Sequence, residues 1–446
     1  MDRAGLAVAL AATRLGARYG SRVAVLAGPG GNGGDGYVAA WYLRKRGCAV
    51  SVHAFGSAAR ASAAGRAADR AAGYGIPVAP LGELSQCDLV VDALFGGGFR
   101  ESLPDVIMPW LGSDVPVLAV DVPSGLDAAT GLVRQAAFHA NRTVTFHALK
   151  PGHLLGEGPE HCGEIEVVDI GLEGGDVELM ICEDIDAHRP PRFRTTHKWT
   201  AGSVLVVGGS PGISGAVVLA ARSALEMGAG SVAVACPGGI APMVAVAGPG
   251  LMTRPIGDGE RFAPDDAASI VKQAARFDVV VLGPGLGANQ RQLVASLLDA
   301  LAGPVVLDAD GVNALDGIDA LAGRAGPTVL TPHAGEYQRL TGSAADYRSA
   351  AEVVGKAGVV LVLKGNPTFV LGREQWVVTS GGPELATIGT GDVLAGMIAA
   401  LWARGLDGEG AARSGAYWHG KAGAALSLEG VVTAERLSAA VGRFAW

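Results

Sequence analysis

Three separated segments in the first half of this sequence carry carboxylates or an amide among glycines. They are Gly31-Asn32-Gly33-Gly34-Asp35, Asp92 within Val90-Val91-Asp92-Ala93-Leu94-Phe95-Gly96-Gly97-Gly98, and Asp121-Val122-Pro123-Ser124-Gly125. An aspartate on an apolar strand is costly to bury unless something pairs with it. No lysine or arginine stands beside Asp92 or Asp121 in sequence. A bound cation would supply the missing charge, and Asn32, Asp92 and Ser124 offer only hard oxygen ligands, which suit an alkali or alkaline-earth ion and not zinc. The plainer alternative is that these side chains cap turns or following helices.

In the second half the stretch Ala386-Thr387-Ile388-Gly389-Thr390-Gly391-Asp392 runs into an apolar-periodic helix. Its glycines let several N–H groups point at one spot, an anion hole for a transferring phosphoryl group, and Asp392 at the helix start can accept a hydroxyl proton. A glycine turn with an aspartate helix cap is the competing account. Lys364-Gly365-Asn366-Pro367-Thr368 adds a lysine, a flexible backbone and a hydroxyl suited to a nucleotide phosphate or ribose. Gly208 to Ala216 is another strand-to-helix glycine loop, Gly283-Pro284-Gly285-Leu286-Gly287 and Asp308-Ala309-Asp310 finish strands, and Thr331 to Glu336 puts His333 at a further strand end.

The elements that must position these residues are short apolar strands alternating with helices. Arg22 to Ala27 is a buried strand and Tyr37 to Arg46 has helical spacing that stops at Gly47, so the glycines between them form a strand-to-helix turn suited to an anion. Gly28, Gly30 and Gly33 satisfy a dinucleotide fingerprint, yet the second strand, Ala49 to Phe55, ends in Phe55-Gly56 without the acidic residue that grips a ribose. An ordinary NAD-reducing site is therefore disfavoured. Strands follow at Cys87–Ala93, Val115–Val122, Thr143–His147 and Glu164–Ile170. The charged, doubly prolyl stretch from Glu183 to Arg192 has the composition of a linker. A second series begins at Ser203–Val207 and continues through Ser231–Ala235, Asp278–Leu282, Val305–Leu307, Thr328–Leu330 and Val359–Leu363, with helices from Thr390 onward. The expectation is α/β throughout, as two doubly wound domains, residues 1–182 and 197–446, joined by a linker at 183–196.

With 446 residues, 49% of them hydrophobic and 17% charged, the chain can bury two cores and has no disordered bias. Its formal charge of -8 argues against a general affinity for nucleic acid. Five cysteines without a CxxC pair support neither a zinc site nor a disulfide framework and fit a reducing cytoplasm. The apolar runs are too short to span a bilayer, and Ala4 to Ala12 reads as an amphipathic first helix, not a signal peptide.

The three segments of the first half closely resemble, in order, the GNNGGDG loop, VDALFG strand and DxPSG turn of the NAD(P)H-hydrate epimerase family, with Gly31 where that family usually has its first asparagine. Relative to the family, the chain opens inside the N-terminal helix, at Met1-Asp2-Arg3-Ala4-Gly5. The resemblance implies a Rossmann-like fold, potassium held by Asn32, Asp92 and Ser124, and Asp121 as the acid–base residue. It implies a substrate pocket formed by Gly31, Asn32, Gly33, Gly34, Asp35, Gly96, Gly97, Gly98, Phe99, Arg100, Glu101, Ser102 and Asp121.

The segment from His197 to about Arg443 resembles the ADP-dependent NAD(P)H-hydrate dehydratases of the ribokinase-like superfamily. The motifs are HKxxxG (His197, Lys198, Gly202), GGSxGxxGA, GPGLG, LDAD, TPHxGE, KGNxT and GTGD, with Trp199 and Ile388 where glycines are usual. By that resemblance Ala216, Gly285, Gly287, His333 and Asp392 contact the hydrated nucleotide, Lys364, Gly365, Asn366, Pro367, Thr368 and Gly391 contact the adenine nucleotide, and Asp392 is the catalytic base, with magnesium shielding ADP. The expected protein is a bifunctional, cytoplasmic, homo-oligomeric repair enzyme acting on NAD(P)H hydrates and ADP, with no nucleic-acid or membrane partner. The alternative is a ribokinase-like small-molecule kinase, such as one for vitamin precursors, fused to a non-catalytic nucleotide-binding module.

Overall fold

Runs such as Val204-Leu205-Val206-Val207, apolar at every position and too short for a stable helix, become strands covered on both faces, and all four of these residues are fully buried. A computed structural model describes every residue except Ser85, Ser113, Asp176, Trp199 and Trp446. The chain divides into two compact units, Met1–Gly175 and Asp176–Trp446.

The first unit is a 7-stranded parallel sheet. Its strands lie in the order Val78–Pro80, Ala49–Ala54, Arg22–Ala27, Leu89–Ala93, Val117–Val120, Arg142–Phe146 and Glu164–Val168. Strand order reverses between Arg22–Ala27 and Leu89–Ala93, which opens a crevice beyond their carboxyl ends. Helices Asp2–Arg14, Gly31–Lys45 and Ala63–Gly73 cover one face through Val8, Val38, Leu43 and Ala67. Leu26, Leu94, Ile107, Trp110 and Phe138 fill the other.

The glycine segment departs from the expected loop, because the helix begins at Gly31 and not near Tyr37. Close packing explains why glycines, which cost a helix roughly 1 kcal/mol each against alanine, stand in its first turns. A methyl carbon at Gly28 would fall on the carbonyl of Leu94, one at Gly33 on the carbonyl of Gly28, and one at Gly36 would stand 2.6 Å from Ala93 Cβ. Bare backbone lets the helix start lie directly on the strand ends.

The second unit is a 10-stranded sheet. The order is Met252–Ile256, Ser231–Pro237, Ser203–Val207, Val279–Leu282, Val305–Leu307, Thr328–Leu330, Val360–Leu363, Thr368–Leu371, Gln375–Val378 and Met180–Ile181. Thr368–Leu371 runs antiparallel to both neighbours and the other pairings are parallel. Helix Thr390–Ala403 is buried along nearly its whole length and packs so closely on helix Gly215–Glu226 that a side chain at Gly396 would strike the Ala220 carbonyl.

The boundary expected at residue 182 shifts, and 183–196 is not a free linker. Met180–Ile181 pairs with Gln375–Val378, and Cys182 and Ala187 belong to the second core. Trp418 Nε1 donates to the Ala187 carbonyl at 3.0 Å, and Arg192 donates to the Gly228 carbonyl at 2.6 Å. The charges and prolines that read as a linker are outward-facing parts of a segment anchored by these contacts.

Candidate active sites

In the first unit the strand Leu89–Ala93 delivers Asp92 to the crevice floor with no exposed surface. Its Oδ1 accepts the Ser124 hydroxyl at 2.7 Å and the Leu94 N–H at 3.2 Å, and its Oδ2 accepts the Ser124 N–H at 2.7 Å. Burial pushes its pKa up to about 6, against the pull of these bonds. Ser124 Oγ also accepts the Phe95 N–H at 3.0 Å, so Asp92 and Ser124 together tie two strand ends.

Asp121 sits one residue past the next strand with φ 67, a left-handed conformation rare for a side-chain-bearing residue. Its surroundings correct the expectation of an unpaired carboxylate. Lys150 Nζ lies 2.6 Å from Oδ1, which also accepts the Thr145 hydroxyl at 3.0 Å. The Gly97 N–H donates to Oδ2 at 3.3 Å, and the Asp121 carbonyl pairs with His153 Nε2 at 2.8 Å.

Gly96 packs between the two functional loops, since a methyl carbon there would stand 3.4 Å from both Asn32 Oδ1 and Asp121 Oδ2. Asn32 Nδ2 and Asp35 Oδ1 are buried without a hydrogen-bond partner among the described residues. Burial, with the charge of Asp121 adding, raises the Asp35 pKa to about 7. Phe95 and Phe99 stack at 4.0 Å, and Arg100 Nη1 donates to the Gly97 and Phe99 carbonyls, folding the Gly96–Phe99 turn over the site. Glu101 and Ser102 are exposed beyond it, and Gly31 is exposed at the helix start.

In the second unit a cavity of about 640 Å³ is walled by Asp308, His333, Lys364, Gly365, Asn366, Thr368, Gly391 and Asp392. Pro367, joined to Asn366 by a cis peptide bond, is not on that wall. The Lys364 N–H donates to the Pro332 carbonyl at 2.8 Å, so neighbouring strand ends hold Lys364 and His333 side by side. Lys364 Nζ donates to Asp308 Oδ1 at 2.9 Å and lies 3.9 Å from Glu336 Oε2. Burial works against its charge, but the attraction of Asp308 and Glu336 outweighs that and holds its pKa above the ordinary value.

A side chain at Gly391 would stand 3.1 Å from Lys364 Nζ, so the glycine leaves the ammonium room at the helix start. Burial, then the charge of Asp308, pushes the Asp392 pKa up to about 7, with Lys364 opposing. The N–H groups of Gly391 and Asp392 have no backbone acceptor among the described residues. His333 Nδ1 accepts the N–H groups of Gly335 and Glu336 at 3.0 and 3.2 Å, so Nε2, which lies 3.6 Å from Glu336 Oε1, is the nitrogen left to carry the proton.

Ala216, Gly285 and Gly287 come together at a second locus. The Ala216 Cβ would stand 3.2 Å from a methyl carbon at Gly285, and Ser210 Oγ donates to the Gly285 carbonyl at 3.0 Å. The turn Asp308-Ala309-Asp310 serves both loci, because Asp308 holds Lys364 while Asp310 Oδ2 accepts the Gly287 N–H at 2.8 Å.

Sequence reasoning missed Lys150, Thr145 and His153 around Asp121, and His419 and Arg261 in the second unit. Thr145 and Lys150 were findable, because they end and follow a strand beside Asp121. Arg261, whose guanidinium would meet a side chain at Gly287, comes from a loop with no motif. Trp199 lies outside the described residues, and Ile388 is 95% exposed at the cavity mouth.

A Rossmann-like unit with a lysine-paired carboxylate, joined to a ribokinase-like unit with an aspartate at a glycine-opened helix start, is the class that fold and sites define. Residues 204–442 match the family model described as NAD(P)H-hydrate dehydratase, and residues 1–152 match the one described as YjeF-related protein N-terminus. A bifunctional NAD(P)H-hydrate repair enzyme of Salinibacter ruber is 38% identical over 430 residues, covering 86% of this chain and 79% of its own. One of Pyrobaculum aerophilum is 36% identical over 478 aligned positions, covering 100% of this chain and 94% of its own. The solved ADP/ATP-dependent NAD(P)H-hydrate dehydratase of Bacillus subtilis, co-crystallised with ATP and Mg2+, is 28% identical with a TM-score of 0.50, over 60% of this chain and 98% of that one. The chain belongs to the family of bifunctional NAD(P)H-hydrate repair enzymes.

Proposed function

We propose that the first unit interconverts the R and S forms of NAD(P)H hydrate at C6 and that the second dehydrates the S form with ADP, releasing AMP and phosphate. The observation that carries this reading is the end of the 640 Å³ cavity where Asp392, raised to about 7, faces Lys364. A carboxylate that titrates near neutrality can take the C6 hydroxyl proton. The oxygen then attacks the β-phosphorus of ADP and AMP departs. Lys364 and the free N–H groups of Gly391 and Asp392 stand where the transferring phosphoryl gathers negative charge. The ring nitrogen's lone pair next expels phosphate from C6, leaving an iminium, and loss of a C5 proton, which the departing phosphate can accept, restores the dihydropyridine.

Magnesium in such sites is bound by one or two carboxylates together with substrate phosphates, and it neutralises phosphate charge. Asp308 and Asp392 flanking Lys364 fit that requirement.

In the first unit Asp121, fixed by Lys150, Thr145 and the Gly97 N–H, is the proton carrier for opening and reclosing the hydrated ring at C6. Potassium fits the donor chemistry near Asp92, whose partners among the described residues are neutral donors. Asp92, Ser124 and Asn32 would hold it, supplying the positive charge the buried carboxylate lacks.

The test is a mixture of R and S hydrates incubated with ADP or ATP, followed at the reduced-nicotinamide absorbance with the phosphate released. Complete conversion of both forms is expected. A stable phosphorylated product without recovery of absorbance would overturn the dehydratase reading in favour of a kinase, and conversion stopping at the S fraction would overturn epimerisation.

A further inference from the structure

His419 has no part in the chemistry above, yet it lines the same cavity as Asp392 and Lys364 and is only 8% exposed. It belongs to helix Gly408–Ser427, which packs against helix Thr390–Ala403. Its Nε2 lies 2.9 Å from the Thr390 carbonyl oxygen, so Nε2 carries the proton and donates. Burial lowers the pKa of the ring to about 4, which keeps it neutral wherever the enzyme works. A neutral donor there adds no positive charge to compete with Lys364.

The Thr390 carbonyl shares one planar trans peptide with the Gly391 N–H, and the two point in opposite directions. Fixing the oxygen therefore fixes the direction of the Gly391 N–H. The Thr390 hydroxyl anchors the same residue by donating to the Leu385 and Thr387 carbonyls at 2.9 and 2.8 Å. Glycines on both sides of Thr390 give the backbone freedom to turn, and Gly389 is left-handed at φ 89. Thr390 opens helix Thr390–Ala403, so the helix's own N–H groups also face its carbonyl, and His419 adds a side-chain hold to that backbone one at the frayable first turn.

We infer that His419 is a positioning residue for the anion hole: its Nε2–H holds the Thr390 carbonyl and thereby aims the Gly391 N–H at the phosphoryl group in transfer. The inference rests on the dehydratase reading of this cavity. Its effect belongs to the transition state, where phosphoryl charge peaks, so it acts on kcat more than on ground-state binding.

The experiment compares His419→Gln, which keeps an N–H donor at a reach similar to Nε2, with His419→Leu, which keeps bulk and removes the donor. Both are assayed in the full-length chain with S hydrate and ADP, and epimerisation by the first unit is measured in the same preparations. For His419→Leu we expect kcat to fall about 10- to 100-fold. KM for both substrates should stay within about twofold, and His419→Gln should recover most of the rate. Hydrogen exchange across 386–394 should quicken in the leucine variant alone. Equal loss in both variants, or a rise in KM with kcat unchanged, would overturn the inference. If the leucine variant fails to fold, a glutamine variant with kcat reduced as far as in Asp392→Asn overturns it as well. Absence of dehydration in the parent enzyme would instead refute the reading on which the inference rests.

Discussion

Replacing Asp392 by asparagine should abolish dehydration and at the same time make the second unit more stable. The carboxyl is carried from its ordinary 3.8 to about 7, first by burial and then by the charge of Asp308. At about 1.36 kcal/mol per pH unit, ionising it in the folded protein costs roughly 4 kcal/mol. Solvent reaching a partly open cavity reduces this to roughly 2 kcal/mol or a little more. The sign follows from linkage: the folded form holds a proton that the unfolded form releases, so stability falls as pH rises through the interval from about 4 to about 7 and the loss is complete above it. Asparagine never ionises and escapes that loss. Urea unfolding of parent and variant at pH 4.5 and pH 8, with hydrogen exchange over 390–403 assigning the transition, measures the difference. The variant's advantage should be small at the acid pH and about 2 kcal/mol or more at pH 8. In the parent, kcat should rise with pH through about 7 as the base loses its proton. A variant that still turns over, or one no more stable than its parent at pH 8, would refute the assignment of Asp392 as a strained, functional base.

Lys150→Met should slow epimerisation by about 10- to 100-fold, because it leaves Asp121 without its ion pair, while dehydration of pure S hydrate stays unchanged; paired assays on one preparation check both halves. Asp92→Asn should remove any potassium dependence of epimerisation and leave the dehydratase untouched, which titration with potassium chloride against choline chloride would show. Gly33→Ala should destabilise the first unit by about 1–3 kcal/mol through overpacking, since the new methyl meets the Gly28 carbonyl; the first-unit transition in a denaturant melt reads this directly.

The strand–helix alternation was plain in the sequence because parallel strands buried on both faces read as uninterrupted apolar runs. The carboxyl-end rule then singled out Asp92, Asp121, His333 and Lys364, and the glycine-opened helix start singled out Asp392. Two features were hidden for physical reasons. Helix Gly31–Lys45 begins among glycines whose local preference opposes a helix, and only their contact with Leu94 and Ala93 makes the conformation favourable. Segment 183–196 has linker composition, yet it is held through Ala187, Arg192 and the indole of Trp418, partners far away in sequence. Lys150 was overlooked although its place just after a strand neighbouring Asp121 was legible, because its ion pair with Asp121 spans 29 positions.

The left-handed backbone at Asp121 sets conformation against chemistry at one position. Glycine would sit there without strain and relieve the fold of about 1 kcal/mol or more, but it would take away the carboxylate that Lys150 holds. On the proton-carrying role proposed for Asp121, retention of an acidic residue at the site would mark descendants of this chain that still meet the R form of the damaged cofactor. Those released from that demand should drift toward glycine, and the first unit should melt later once they do.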